Sequence, residues 1–238
     1  LFAEWPPGVD RIILDETDST NAEAMRCEPP AWVLAYRQTA ARGRRGRRWQ
    51  MPKGNFAASL ALVPDMEPAR AALYSFVASL ALYDVLAELT ELPLTLKWPN
   101  DVLAGAGKAA GILIESAGSG SRLDRLVVGF GVNLIKAPDK VEDGAVPPAS
   151  LGLDVGVEPF LGKLAPAFAA REATFLGEGF APIRDAWLSR AARLGQPIVV
   201  RTSDDSRAGV FKDIDPDGAL VLGTADGNRT VTAADIFF

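Results

Sequence analysis

Eight residues, Arg42 to Trp49 (RGRRGRRW), carry five arginines and two glycines in a chain whose formal net charge is -5. Crowded like charges repel and call for solvent or an anionic partner. Guanidinium forks beside glycine amides suit phosphoryl oxygens. The run has three readings: a solvated loop, a nucleic-acid strand with a base stacked on Trp49, or a loop closing over a phosphate-bearing small molecule. A second cluster, Lys97-Trp98-Pro99-Asn100-Asp101, places two charges and an amide in an apolar strand region, where polar groups need partners. Its plainer reading is a turn at a strand end. Lys108 follows seven residues after Asp101, at the mouth of an apolar run; alone it reads as a surface lysine.

What is missing narrows the chemistry. The chain has no histidine and one cysteine, Cys27, which excludes Ser-His-Asp and Cys-His catalysis, the usual zinc sites and an internal disulfide. Gly107-Lys108 resembles the end of a P-loop, but Val102 stands at its first glycine and Ala109 at its Ser/Thr position. Gly129-Phe130-Gly131 lacks the third glycine of a dinucleotide fingerprint. A pI near 4.9 argues against a protein that coats nucleic acid. No export signal is visible, and no run of about 18 apolar residues occurs, so the reading is a soluble, cytoplasmic protein without a membrane partner.

The elements that must hold these residues follow from periodicity. Arg11–Glu16 and Trp32–Tyr36 read as strands, with a capped helix starting at Asp18-Ser19-Thr20 between them. Asn55–Val63 reads as a strand buried on both faces, and Pro68–Leu89 as one long helix with an apolar stripe. Leu94–Trp98, Ala110–Glu115 and Leu126–Leu134 are strand-like, whereas 158–175 and 181–194 look helical. From Gln196 short β-like runs alternate with turn signals at Asp205, Asp217-Gly218 and Asp226-Gly227. These roughly 40 residues are too few to be stable alone and should dock on the larger body. The expectation is an α+β protein divided into residues 1–194 and 195–238.

In chain order stand DSTN (Asp18–Asn21), Gln38-Thr39, RGRRGRRW, KWPND, GKAAGIL (Gly107–Leu113) and GFGVN (Gly129–Asn133). This series resembles the biotin protein ligase family over almost the whole chain. The resemblance implies a mixed-sheet catalytic domain of the biotin/lipoate ligase type with a C-terminal SH3-like β-barrel. It implies that biotin and MgATP give biotinyl-5′-AMP, and that a lysine of a biotin carboxyl carrier protein then takes the biotinyl group. By motif, Ser19, Thr20 and Gln38 would bind the ureido ring, with backbone amides near Arg42 also touching biotin. Arg44, Arg45 and Arg47 would hold the adenylate, Arg44 retaining it, with Trp49 as a cover. Lys108 would bridge the biotin carboxylate and the α-phosphate, Gly111 would allow close backbone approach, and Asn133 would lie near the ribose or phosphate. Asp101 would hold magnesium or orient the incoming amine, two roles the sequence leaves open.

Two departures from the family pattern are visible: Ala41 stands where glycine is common, and Ala109 where leucine is usual. With 18 residues before Ser19 there is no room for the DNA-binding domain of the repressor-type members, so no operator binding is expected. A homodimer through sheet edges is left open, and the arginine loop is expected to be mobile without ligand. A lipoate or octanoate ligase or transferase of the same fold is the rival enzyme; its pocket would be apolar throughout, unlike one holding Ser19, Thr20 and Gln38.

Overall fold

A computed structural model describes residues 4–118, 122–139, 146–202 and 205–237. Seven strands form a mixed sheet: β1 (Asp10–Thr17), β2 (Ala31–Gln38), β3 (Phe56–Leu62), β4 (Leu94–Lys97), β5 (Asp101–Ala104), β6 (Gly107–Ala117) and β7 (Arg125–Val132). Their order is β1-β2-β3-β7-β6-β5-β4, with β1 parallel to β2 and every other pair antiparallel. The central β3 is buried along nearly its whole length, as its unbroken apolar run requires.

Alternation sorts the side chains onto two faces. Val33, Ala61 and Val127 meet Ala24 of the short helix α1 (Thr20–Arg26) on one face. On the other, Trp32 packs against Phe130 at 5.5 Å between ring centroids and edge-on against Phe168 at 6.0 Å. Phe168 belongs to α4 (Val157–Glu178).

The expected long helix is divided into one turn, α2 (Pro68–Ala71), and α3 (Tyr74–Leu89). It carries no single apolar stripe. Every residue from Tyr74 to Leu82 is buried, because this first half of α3 is covered on all sides. Its polar groups are paired: Ser75 Oγ donates to the Pro99 carbonyl at 2.8 Å, and Ser79 Oγ accepts from Trp187 Nε1 at 3.1 Å. By length and composition Pro68–Leu89 could cross a membrane, but most of it lies inside the fold, as a core helix does.

The helix expected over 181–194 ends early, as α5 (Phe180–Leu188). The following chain turns through Arg193 (φ 64°) and Gly195 (φ 75°), and before that it pairs with β4. Leu96 N donates to the Arg190 carbonyl and Ala192 N to the Leu96 carbonyl, both at 2.8 Å.

The remaining strands, β8 (Pro197–Arg201), β9 (Ser206–Ile214), β10 (Leu220–Thr224), β11 (Gly227–Val231) and β12 (Asp235–Phe237), form an antiparallel sheet of order β11-β10-β9-β8-β12. It shares the main hydrophobic core through Ile198, Phe211, Ile214 and Ile236. Trp98 Nε1 donates to the Gly218 carbonyl at 3.0 Å, and Arg184 pairs with Asp213 at 2.6 Å. Docking sets Asp235, at the start of β12, beside the arginine-rich turn.

Candidate active site

A cleft of about 460 Å³ opens over the β7-β6 part of the large sheet. One end is polar and neutral. Ser19 is the N-cap of α1, within the expected Asp18-Ser19-Thr20 start, and makes no side-chain cap bond. Thr20 N donates to Gln38 Oε1 at 2.7 Å, with the Thr20 hydroxyl 3.2 Å from the same oxygen. Behind them Asn21 and Ser59 are buried, Ser59 Oγ lying 2.8 Å from Thr20 Oγ1 and 2.6 Å from Asn21 Oδ1. Gly129 leaves room for Asn21: a Cβ there would fall 2.0 Å from Asn21 Oδ1.

The other end is cationic. β4 and β5 form a hairpin in which Lys97 faces Asp101, so the plain turn reading of KWPND and its polar reading both apply. Lys108 Nζ lies 2.6 Å from Asp101 Oδ1 and Lys97 Nζ lies 3.8 Å from Oδ2. Lys97 is 7% exposed. Burial makes its ammonium easier to deprotonate, a tendency Asp101 opposes and Lys108 reinforces. Asn100 is clamped to β6: its Nδ2 donates to the Ile112 carbonyl, and Ile112 N donates to its carbonyl at 2.9 Å.

The arginine run closes into a compact turn. Arg42 and Arg48 bridge, Trp49 N donates to the Ala41 carbonyl at 3.0 Å, and Arg44–Gly46 make a single 3₁₀ turn with Arg45 at φ 57°. Arg44 points inward, 3.5 Å from Asn100 Oδ1, where burial lowers its basicity against the pull of Asp235 and Asp101. Arg42, Arg44, Arg47 and Arg48 line the cleft; Arg45 does not. Arg45 and Arg47 both reach Asp235 Oδ2, at 3.0 and 2.7 Å. Burial pushes the Asp235 carboxyl up, but the Arg47 hydrogen bond and the surrounding arginine charges carry it below its ordinary value.

Trp49 forms a wall between the two ends. Its indole lies so close to the sheet that a Cβ on Gly131 would sit 2.6 Å from Cε2, and one on Gly111 3.5 Å from Cζ3. Lys108 Nζ sits 5.4 Å from the indole centroid.

Of the residues singled out from sequence, Ser19, Thr20, Gln38, Arg42, Arg44, Arg47, Trp49, Asp101, Lys108, Gly111 and Asn133 share this cleft. Asn133 reaches it as a bracket: its Nδ2 donates to the Ala149 carbonyl at 3.0 Å and the Lys108 carbonyl at 3.3 Å, and its Oδ1 faces Asn55. As a magnesium ligand Asp101 is poorly placed, because its two oxygens already face lysines. Among the described residues no three His, Cys, Asp or Glu side chains converge to hold a metal. Lining residues given no individual role from sequence include Asn21, Lys97, Asn100, Gly131 and Asp235. The first four lie inside the quoted motifs; Asp235 has no local signal.

Residues 13–133 match the biotin/lipoate A/B protein ligase family, and residues 194–238 match the biotin protein ligase C terminal domain. The chain belongs to the biotin/lipoate A/B protein ligase family. A biotin–[acetyl-CoA-carboxylase] ligase of Paracoccus denitrificans is 52% identical, over 95% of this chain and 99% of that protein. The bifunctional ligase/repressor BirA of Bacillus subtilis (strain 168) is 29% identical over 94% of this chain and 71% of its own length. The biotin protein ligase of Aquifex aeolicus, solved with biotin and ATP, shares the fold at a TM-score of 0.81 and 24% identity, covering 96% of this chain and 97% of that one. In this chain the neutral polar end and the cationic end line one cleft.

Proposed function

We propose that the chain joins biotin to ATP as biotinyl-5′-AMP, releasing pyrophosphate, and passes the biotinyl group to a lysine of the biotin carrier protein of an acetyl-CoA carboxylase in the cytoplasm. The observation that carries this reading is that the Thr20–Gln38 pair and the Lys108–Asp101 pair open onto one cleft, walled by Trp49. The 52% identity to a protein named for that activity supports it.

The first step brings a carboxylate against an anionic α-phosphate, so neutralisation and alignment are the main tasks. Ser19, Thr20 and Gln38 take the ureido ring. An apolar lipoyl or octanoyl chain would leave polar groups of this end unpaired, at about 1 to 3 kcal/mol each, which disfavours lipoate or octanoate as substrate. Gly111 and Gly131 let the ligand and the Trp49 indole approach the sheet backbone. Lys108 bridges the reacting carboxylate and phosphate, while Arg44, Arg42 and Arg47 neutralise phosphoryl oxygens. When Lys108 turns to the phosphate, Asp101 is left to receive the incoming lysine amine. Magnesium enters as part of the nucleotide substrate; the donor set does not fit a separate protein-held ion.

Residues 1–194 are the catalytic unit and 195–238 the small β unit in this reading. Engagement of Arg45 and Arg47 by Asp235, with the acidic whole chain, supports a ligand role for the arginines over nucleic-acid binding. The test is exchange of labelled pyrophosphate into ATP. Exchange that requires biotin and is not supported by lipoate or octanoate is expected; exchange with no acyl acid would sink the proposal.

A further inference from the structure

Behind the polar end of the cleft runs a hydrogen-bonded chain whose direction is set at its far end. Glu115 Oε2 accepts from Asn21 Nδ2 at 2.7 Å, and the Leu113 carbonyl accepts from the same nitrogen at 3.4 Å. A carboxylate and a carbonyl only accept, so the amide nitrogen must face them and Oδ1 must face away. Ser59 Oγ lies 2.6 Å from that oxygen, and its single hydrogen goes there. Ser59 Oγ is also 2.8 Å from Thr20 Oγ1, a separation that needs a hydrogen between the oxygens. Only Thr20 can supply it. The alternative acceptor, Gln38 Oε1, is farther at 3.2 Å and already takes the Thr20 N–H at 2.7 Å. Ser59 is 0% and Asn21 4% exposed, so bulk water does not compete for these groups.

We propose that Glu115, Asn21 and Ser59 are positioning residues that fix the Thr20 hydroxyl as an acceptor toward the cleft, so that this end of the pocket selects a ligand group carrying an N–H donor. This rests on the reading that the biotin ureido ring occupies the polar end, where one ring N–H is that donor. Ser59 and Glu115 act through Thr20 and need no ligand contact. Glycine at position 129 belongs to the same device, since any side chain there would displace the Asn21 oxygen.

The test compares calorimetric binding of biotin with that of the two isosteric cyclic carbamates in which a ring oxygen replaces one ureido N–H. In the unaltered protein one carbamate should bind more weakly by roughly ten- to a hundredfold, because an acceptor then faces an acceptor. In Ser59→Ala the Thr20 hydroxyl can turn and donate, so the biotin-to-carbamate ratio should fall toward one even as biotin itself binds more weakly. Glu115→Ala alters a half-buried residue and loosens the amide orientation; it should lower the ratio too, and it decides the matter if the Ser59 variant does not fold. A ratio unchanged in the folded variants overturns the relay and leaves the biotin reading standing. An unchanged ratio in Thr20→Val overturns it as well, by removing Thr20 as the contact. Failure of the unaltered protein to bind biotin overturns the underlying reading instead.

Discussion

Lys108 Nζ and Asp101 Oδ1 are 2.6 Å apart, at the mouth of the cationic end of the cleft. A β-bulge between Val102 and Leu103 brings them together, shifting the register so that Leu103, and not Ala104, lies opposite Lys108. The lysine is thus pre-aimed and charge-balanced before an anion arrives. Its side chain stays 28% exposed, so an anionic ligand can take it over without unfolding its surroundings.

Replacing Lys108 should therefore separate chemistry from stability. Lys108→Ala is expected to lower biotin-dependent pyrophosphate exchange by at least about a hundredfold, the usual scale for losing one electrostatic group at a developing charge. Its thermal unfolding should move by only a few degrees. Lys108→Arg keeps the charge with a wider head and should recover part of the exchange. An alanine variant with near-normal exchange would remove Lys108 from the chemistry.

Asp101 has a second duty, as the counter-charge of buried Lys97. Asp101→Asn should destabilise the protein by about 2 to 3 kcal/mol at neutral pH, because a buried ammonium loses its partner. Burial lowers the Lys97 pKa, and losing Asp101 lowers it further. Between the folded and unfolded pKa values the unfolded chain binds more protons, so stability rises with pH there. The deficit of Asp101→Asn against the unaltered protein should accordingly shrink from pH 7 toward pH 10 in parallel denaturant titrations. A constant deficit would place the loss elsewhere.

Much of this was legible in the sequence, and the reasons for the rest are physical. The polar ends of apolar runs, Ser19-Thr20 and Lys97 to Asp101, announced themselves because local composition broke with its surroundings. The central strands were readable from unbroken apolar runs. The Pro68–Leu89 segment was not readable as it folds, since its middle, Tyr74 to Leu82, is covered on all sides and has no polar face to set its phase. β5 is four residues long and β12 three, too short for a pattern. Asp235 lies 188 positions from Arg47 and meets it only because the second sheet docks through Trp98 and Gly218. Nothing local in the sequence shows that Ala149 will come back to accept from Asn133.

That docked aspartate leads to a prediction for the arginine turn. Asp235→Ala should loosen the tie of Arg45 and Arg47 to β12 and raise the release rate of biotinyl-5′-AMP several-fold, measured by chasing labelled intermediate. The direct stability loss should be no more than about 1 kcal/mol, since both arginines are substantially exposed. The arginines hold the folded-state pKa of Asp235 below its unfolded value, so this contribution is present above pH ~4 and vanishes as pH falls through the folded pKa. The variant and the parent should converge in stability in acid.

The Trp49 wall can be probed from the sheet beneath it. Gly131→Ala puts a Cβ 2.6 Å from Cε2 and 2.7 Å from Nε1 of the indole. β7 pairs on both sides, with β3 and β6, so the strand cannot retreat, and the half-buried indole must lift instead. Lifting it alters the wall shared by the two ends of the cleft, and its contact with Lys108 with it. KM for biotin and for ATP should each rise about tenfold. Gly162→Ala in α4 is the matched control: a Cβ there meets nothing within 4 Å, and helix propensity predicts a gain of about 0.5 to 1 kcal/mol with unchanged KM values. If both alanine variants left KM alone, Trp49 would be a bystander to ligand binding; if Gly131→Ala unfolded the protein while Gly162→Ala did not, its indole would belong to the core and not to a movable wall.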